Sequence, residues 1–186
     1  MSNILPQSNQ SKPTVQLLDR TDGKQFLKFY LQQDTKAMLP VRQITEVLTI
    51  KFDRIVPIPQ MPAWVMGVYN WRGDILWMVD LGHLMGFNPW YQKNANLSKH
   101  TAIVLSPDKE QGKSSRESNI NLGLVVAQVE DIETLNVAEI QNPTGINIDS
   151  HLASFLQGYW LESSKEMIMV LNGQPIIAAM PNNTAA

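Results

Sequence analysis

The side chains in this chain that could do chemistry are few and scattered. Its three histidines, His83, His100 and His151, are far apart. None stands in an H-x-x-x-H spacing that would put two imidazoles on one side of a helix, so no metal site is expected. Asp74 and Asp80 would point to the same face of a strand, but at the usual rise per residue they lie roughly 20 Å apart. That is too far for two carboxylates to act on one bond, and a turn residue and a strand-end residue are the plainer assignments. The chain has no cysteine, which removes thiolate nucleophiles, thiolate metal ligands and disulfides. There is no G-x-S-x-G elbow, no P-loop and no G-x-G-x-x-G, so the usual hardware of acyl transfer and phosphate cradling is missing. A small β-barrel hydrolase would need a nucleophile with a visible partner, and the sequence offers none. Asn96-Leu97-Ser98 and Asn182-Asn183-Thr184 match the glycosylation acceptor pattern. Without a basic-then-apolar signal at the N-terminus they read as chance matches.

Recognition chemistry is what remains. Trp64, Tyr69, Trp71 and Trp77 surround Arg72 in sequence, and such aromatics could stack the bases of a single strand, which makes a β-barrel single-stranded nucleic-acid binding module the alternative function. Against it, 15 Lys and Arg face 17 Asp and Glu for a net charge of -2, with no basic groove to hold a phosphate backbone. Core or interface anchoring is the plainer role for these rings. Arg72 beside a tight turn offers a planar fork of donors of the kind enriched at binding hot spots. It could equally pair with Asp74, Asp80 or a turn carbonyl.

Short strands must position these residues. Residues 1 to 22 are rich in Ser, Asn, Gln, Pro, Lys and Asp and read as a flexible N-terminal tail. From Gln25 onward Leu27, Phe29 and Leu31 alternate with Phe26, Lys28 and Tyr30, a period-two strand pattern with one face more apolar. Between Met38 and Leu48 a strand gives way to a helical spacing at Ile44, Val47 and Leu48, which predicts a short helical turn there. Pro57, Pro59 and Pro62 make Ile55 to Pro62 an extended connection. Trp64 to Trp71 and Asp74 to Leu81 form a hairpin turning at Arg72-Gly73, where the glycine supplies positive φ. Ile75, Trp77 and Val79 on one face and Leu76 and Met78 on the other predict a strand covered on both sides. Further strands are expected at Thr101 to Leu105, Leu122 to Val129 and Met167 to Leu171, with a solvated loop over Ser106 to Asn119 and a weakly helical or irregular stretch from His151 to Tyr159. No internal repeat of fixed period is visible.

With 186 residues, 44% apolar and 17% charged, the chain can bury a core. No stretch reaches the ~18 consecutive apolar residues of a membrane span, so the expectation is a cytoplasmic, mostly β protein.

Several motifs occur in an order that resembles the CheW family of chemotaxis coupling proteins: Phe26-Leu27, Leu39-Pro40-Val41, Ile44-Thr45-Glu46-Val47, Pro59, Met61-Pro62, Gly67-Val68-Tyr69-Asn70-Trp71-Arg72-Gly73 and Val79-Asp80-Leu81. Gly123 to Val126 with Val129, and Phe155-Leu156-Gln157-Gly158 before Met167 to Leu171, are similar to the family's second half. The resemblance implies an all-β fold of two small five-stranded SH3-like β-barrel subdomains with a shared core over residues 23 to 180, followed by a short tail over 181 to 186. It implies no catalysis and no cofactor. The implied role is an adaptor between a methyl-accepting receptor and a CheA-type histidine kinase, with further CheW-like proteins as possible neighbours in an array. By the same resemblance Ile44, Glu46, Gly67, Arg72 and Val129 fall near a receptor-facing groove between the subdomains, and the kinase is met elsewhere. The tryptophans at 64, 71 and 77 are similar to a variant from phototaxis and type IV pilus motility systems. Trp71 stands where the family usually has leucine, Ala127 where an aspartate is common, and Asn172 replaces an aspartate near the C-terminus.

Overall fold

The fold was obtained as a computed structural model, which describes residues 23–89, 99–106, 120–142, 149–163 and 166–181. Ten strands run β1 (Lys24–Gln32), β2 (Thr35–Pro40), β3 (Ile44–Lys51), β4 (Val65–Trp71), β5 (Asp74–Asp80), β6 (Lys99–Leu105), β7 (Asn121–Val126), β8 (Gln128–Leu135), β9 (Leu156–Leu161) and β10 (Met167–Leu171). Among the described residues three short helices, α1 (Leu81–Leu84), α2 (Ser150–Ala153) and α3 (Gly173–Ala178), lie between or after them. The strands form two five-stranded sheets, ordered β8-β1-β2-β10-β9 and β3-β6-β7-β5-β4. This is the mostly β, two-subdomain architecture that the sequence implied.

The chain passes between the sheets twice, first through the 3-10 turn Val41–Gln43 and back at Ala127, whose N–H donates to the Tyr30 carbonyl at 2.9 Å. The second sheet is therefore one continuous stretch of chain, β3 to β7, inserted between β1–β2 and β8–β10, so only the first sheet is assembled from segments far apart in sequence. Each sheet is also brought round toward a barrel by one bridge. Beyond β3 a 3-10 turn at Phe52–Arg54 delivers Val56 to Val68 on β4, and beyond β8 a 3-10 turn at Val137–Glu139 delivers Gln141 to Tyr159 on β9. Both bridges exchange a pair of backbone hydrogen bonds of 2.8 and 2.9 Å.

Strand alternation divides the apolar side chains among three clusters. Phe26, Met38, Leu135, Ile168 and Val170 fill the first sheet's interior, and Ile50, Leu76, Met78, Ala102 and Val104 fill the second's. The opposite faces of the same strands, including Leu27, Phe29, Leu39, Val79, Ile103, Leu105, Leu124 and Leu171, pack into one cluster shared by both sheets. A strand buried on both faces must be apolar at every position, which is why β5, β6 and β7 read as almost unbroken apolar runs. The expectation for β5 holds, apart from Ile75, which is 64% exposed near the hairpin turn.

Three local expectations are corrected. Ile44, Val47 and Leu48 belong to β3; the helical element is the 3-10 turn before it, and a bulge between Ile44 and Glu46 breaks the period-two pattern in that region. The run expected as one strand from Leu122 to Val129 is two strands in different sheets, bent at Ala127. The irregular stretch from His151 to Tyr159 resolves into α2 and the start of β9. The predicted N-terminal tail (1 to 22), most of the predicted loop (107 to 119) and residues 182 to 186 lie outside the described residues.

Candidate functional site

Of the five residues singled out, the structure joins Glu46 and Arg72. The β4–β5 hairpin turns through Arg72 (φ 56) and Gly73 (φ 94), with Trp71 paired to Asp74 across it and the Gly73 N–H donating to Asn70 Oδ1 at 3.2 Å. Positive φ at both central residues matches the right-handed twist of the flanking strands. Gly73 adopts it freely, whereas arginine adopts it at a cost.

Glu46 occupies the same side of β3 as Leu48 and Ile50, which pack on the second sheet's interior. A carboxylate in that register needs donors. It receives two, one on each oxygen: the Trp71 indole Nε1–H donates to Oε1, and Arg72 Nη2–H donates to Oε2 at 2.6 Å. The Arg72 guanidinium also stands over the Trp71 ring, 5.4 Å from its centroid, within cation–π range. The side chain of Glu46 is 22% exposed and that of Arg72 is 69% exposed. The carboxylate is thus held from below while the guanidinium faces solvent. The alternatives raised for Arg72, pairing with Asp74, Asp80 or a turn carbonyl, give way to Glu46. Asp80 instead caps α1, accepting from the His83 N–H at 3.0 Å.

The other three residues have different surroundings. Gly67 (φ 138) lies against the bridging strand, where an added Cβ would stand 2.2 Å from the Val56 carbonyl oxygen. Ile44 opens β3 just after the first crossing between sheets, and Val129 lies in β8 just after the second. Both are half-buried and pack on the shared cluster. An open groove of about 570 Å³ at one end of the first sheet, lined among others by Lys24, Phe26, Val41 and Arg42, includes none of the five.

The aromatic platform does not exist as such. Trp64 and Trp77 pack on the shared cluster, and Tyr69 and Trp71 on the second sheet's interior. Their rings serve as core anchors, the plainer of the two sequence readings.

A polar group that the sequence did not reveal spans the corresponding seam of the first sheet. Lys28, buried on β1, reaches Glu162 at 2.8 Å, Glu133 at 3.2 Å, Asp131 at 3.4 Å and Glu130 at 3.8 Å. Burial alone would lower its pKa, but the hydrogen bonds to Glu162 and Glu133 and the charges of Glu162 and Asp131 outweigh burial and hold it above the ordinary lysine value. A pattern of Lys28 between Leu27 and Phe29 looks like an exposed strand face, and nothing local announces four carboxylates arriving from β8 and from the end of β9. Among the described residues no group of His, Cys, Asp and Glu could hold a metal ion, and no helix is long and apolar enough to cross a membrane.

A family model described as CheW-like domain matches residues 25–180. No curated protein matches the chain. Among solved structures, the fold is similar to that of the scaffolding protein TtCheW from Thermoanaerobacter tengcongensis. The TM-score is 0.62 at 21% identity, covering 81% of this chain and 89% of that one.

Proposed function

The chain belongs to the CheW-like domain family, whose members are non-catalytic adaptors, and from this membership we propose that it couples a methyl-accepting receptor to a CheA-type histidine kinase. The observation that carries the reading is the exposed guanidinium of Arg72, fixed on a rigid hairpin turn by Glu46. An arginine held this way loses little conformational freedom on binding and can meet acceptor oxygens on a partner with several donors at once.

Ile44 and Val129, half-buried where the chain crosses between sheets, would supply the apolar floor of the same receptor-facing groove, and Gly67 would hold its wall in shape by keeping β4 close to Val56. The kinase would be met elsewhere on the two subdomains. With a net charge of -2, recognition would rest on these contacts more than on long-range attraction. The pathway served would be a motility system of the phototaxis or type IV pilus kind, in the cytoplasm, with other CheW-like proteins as neighbours.

Pull-down of the tagged chain from lysate of its own cells tests the reading. A CheA-type kinase and a methyl-accepting receptor should come down together. Recovery of neither, with the bait folded, would overturn it. Salt-sensitive capture of a single-stranded oligonucleotide would favour the nucleic-acid alternative instead.

A further inference from the structure

Trp71 does more than anchor a core. A free arginine–carboxylate pair tends to close as a fork on a fork, two parallel hydrogen bonds that use both carboxylate oxygens and two guanidinium nitrogens. Here the pair is arranged otherwise: the Trp71 indole N–H donates to Glu46 Oε1 and so fixes how the carboxylate is turned, and Arg72 Nη2 donates to Oε2 alone. The same ring carries the guanidinium above its face. One side chain therefore orients the carboxylate that Arg72 meets and supports the guanidinium from the apolar side, while the arginine side chain stays 69% exposed.

We infer that Trp71 is a positioning residue that keeps Glu46 from chelating Arg72, so that the remaining guanidinium donors are presented to acceptor oxygens of the receptor. The inference rests on the adaptor reading above and adds to it a specific geometry. A leucine at this position would leave Oε1 without this donor and remove the ring face, and the carboxylate would be free to rotate and take the guanidinium with both oxygens. Receptor binding would then have to break that closed pair first.

The test uses the full-length chain titrated against the purified soluble signalling fragment of a methyl-accepting receptor from the same cells. Trp71→Phe keeps a smaller aromatic ring under Arg72 and loses the N–H; Trp71→Leu loses both ring and N–H. Loss of a hydrogen bond to a charged group should weaken binding about tenfold in Trp71→Phe, and at least as much in Trp71→Leu. On a Glu46→Ala background, Trp71→Phe should change affinity by less than about twofold, because there is no carboxylate left to hold. A second readout needs no partner: in the free protein the Trp71 indole proton should exchange slowly by NMR, and Glu46→Ala should release it. If Trp71→Phe binds the fragment as the unsubstituted chain does, or the indole proton exchanges at the solvent rate, the inference fails and the adaptor reading stands. If the unsubstituted chain does not bind the fragment, both fall.

Discussion

The Cβ that Gly67 lacks would lie 2.2 Å from the carbonyl oxygen of Val56, on the residue whose two hydrogen bonds to Val68 close the second sheet. The first sheet repeats the device. Gly158 precedes Tyr159, which pairs with Gln141, and a Cβ on Gly158 would stand 2.5 Å from the Gln141 oxygen. In both places the missing side chain lets a single bridge bring the two ends of a sheet together. The Glu46–Arg72 pair sits on the same seam as Gly67, since Glu46 is on β3 and Arg72 directly follows β4.

Gly67→Ala is therefore expected to destabilise far more than a glycine change in an open turn. The new methyl meets backbone, which cannot swing away, and the residue also holds a positive φ of 138. The cost should be on the order of 3 kcal/mol, or a fall in Tm of about 10 °C for a chain of this size. Gly73→Ala, with nothing within 4 Å of the added Cβ but a φ of 94, carries only backbone strain, about 1 to 2 kcal/mol. Thermal unfolding of the two variants side by side decides the matter. Equal losses would mean that the close approach to Val56 contributes nothing beyond the φ angle.

Arg72→Gly separates binding from folding. It deletes the donors proposed to meet the receptor and the ion pair with Glu46, yet it relieves the left-handed backbone at φ 56. An exposed ion pair contributes about 1 kcal/mol at most, similar in size to the relief, so Tm should move by only a few degrees. Affinity for the receptor fragment should fall by about 1 to 4 kcal/mol, measured by calorimetry. A drop in Tm without loss of affinity would assign Arg72 to the fold alone.

Much of the framework was legible because period-two patterns and turn chemistry are local. The β1 pattern at Leu27, Phe29 and Leu31 and the Arg72-Gly73 turn are each set by residues within one segment, and the structure shows both. What remained hidden depends on closure. Trp71 and Glu46 are 25 positions apart, Lys28 and Glu162 are 134 apart, and they meet only because the sheets curl round. The period at Ile44, Val47 and Leu48 misled because a bulge at the start of β3 mimics helical spacing over a few residues. β9 was obscured for another reason: α2 stands just before it, and Gly158 interrupts its apolar pattern where Gln141 needs room.

Lys28→Met should expose how much the first sheet depends on one cation. The side chain is 8% exposed, and its removal leaves Glu133 and Glu162, 35% and 19% exposed, facing each other with Asp131 and Glu130 nearby. Taking one partner from a buried ionic cluster costs on the order of 3 kcal/mol, and the partial hydration of these carboxylates places the change toward the lower end. Because the residual effect is repulsion between like charges, raising the salt to about 1 M, where the Debye length is about 3 Å, should recover part of the lost Tm. A variant whose Tm is indifferent to salt would show that packing, and not charge, is what was lost.

Stability should also fall on mild acidification, and His100 is the residue responsible. It lies on β6 paired with Ile50, buried, with its ring edge-on to Phe52 at a centroid distance of 5.8 Å. Burial disfavours the imidazolium and lowers its pKa below the ordinary value of 6.5. In the unfolded chain His100 therefore takes up a proton at a higher pH than in the folded one, and the difference in bound protons makes unfolding easier as pH falls. The contribution to stability is complete above about pH 6.5 and is lost progressively below it, at no more than about 1.4 kcal/mol per pH unit for one group. Thermal unfolding between pH 8 and pH 5 should show Tm level at the upper end and declining from about pH 6.5. His100→Gln, which cannot titrate, should flatten that decline even if it lowers Tm throughout. An unchanged slope in the variant would show that His100 is not the source of the acid sensitivity.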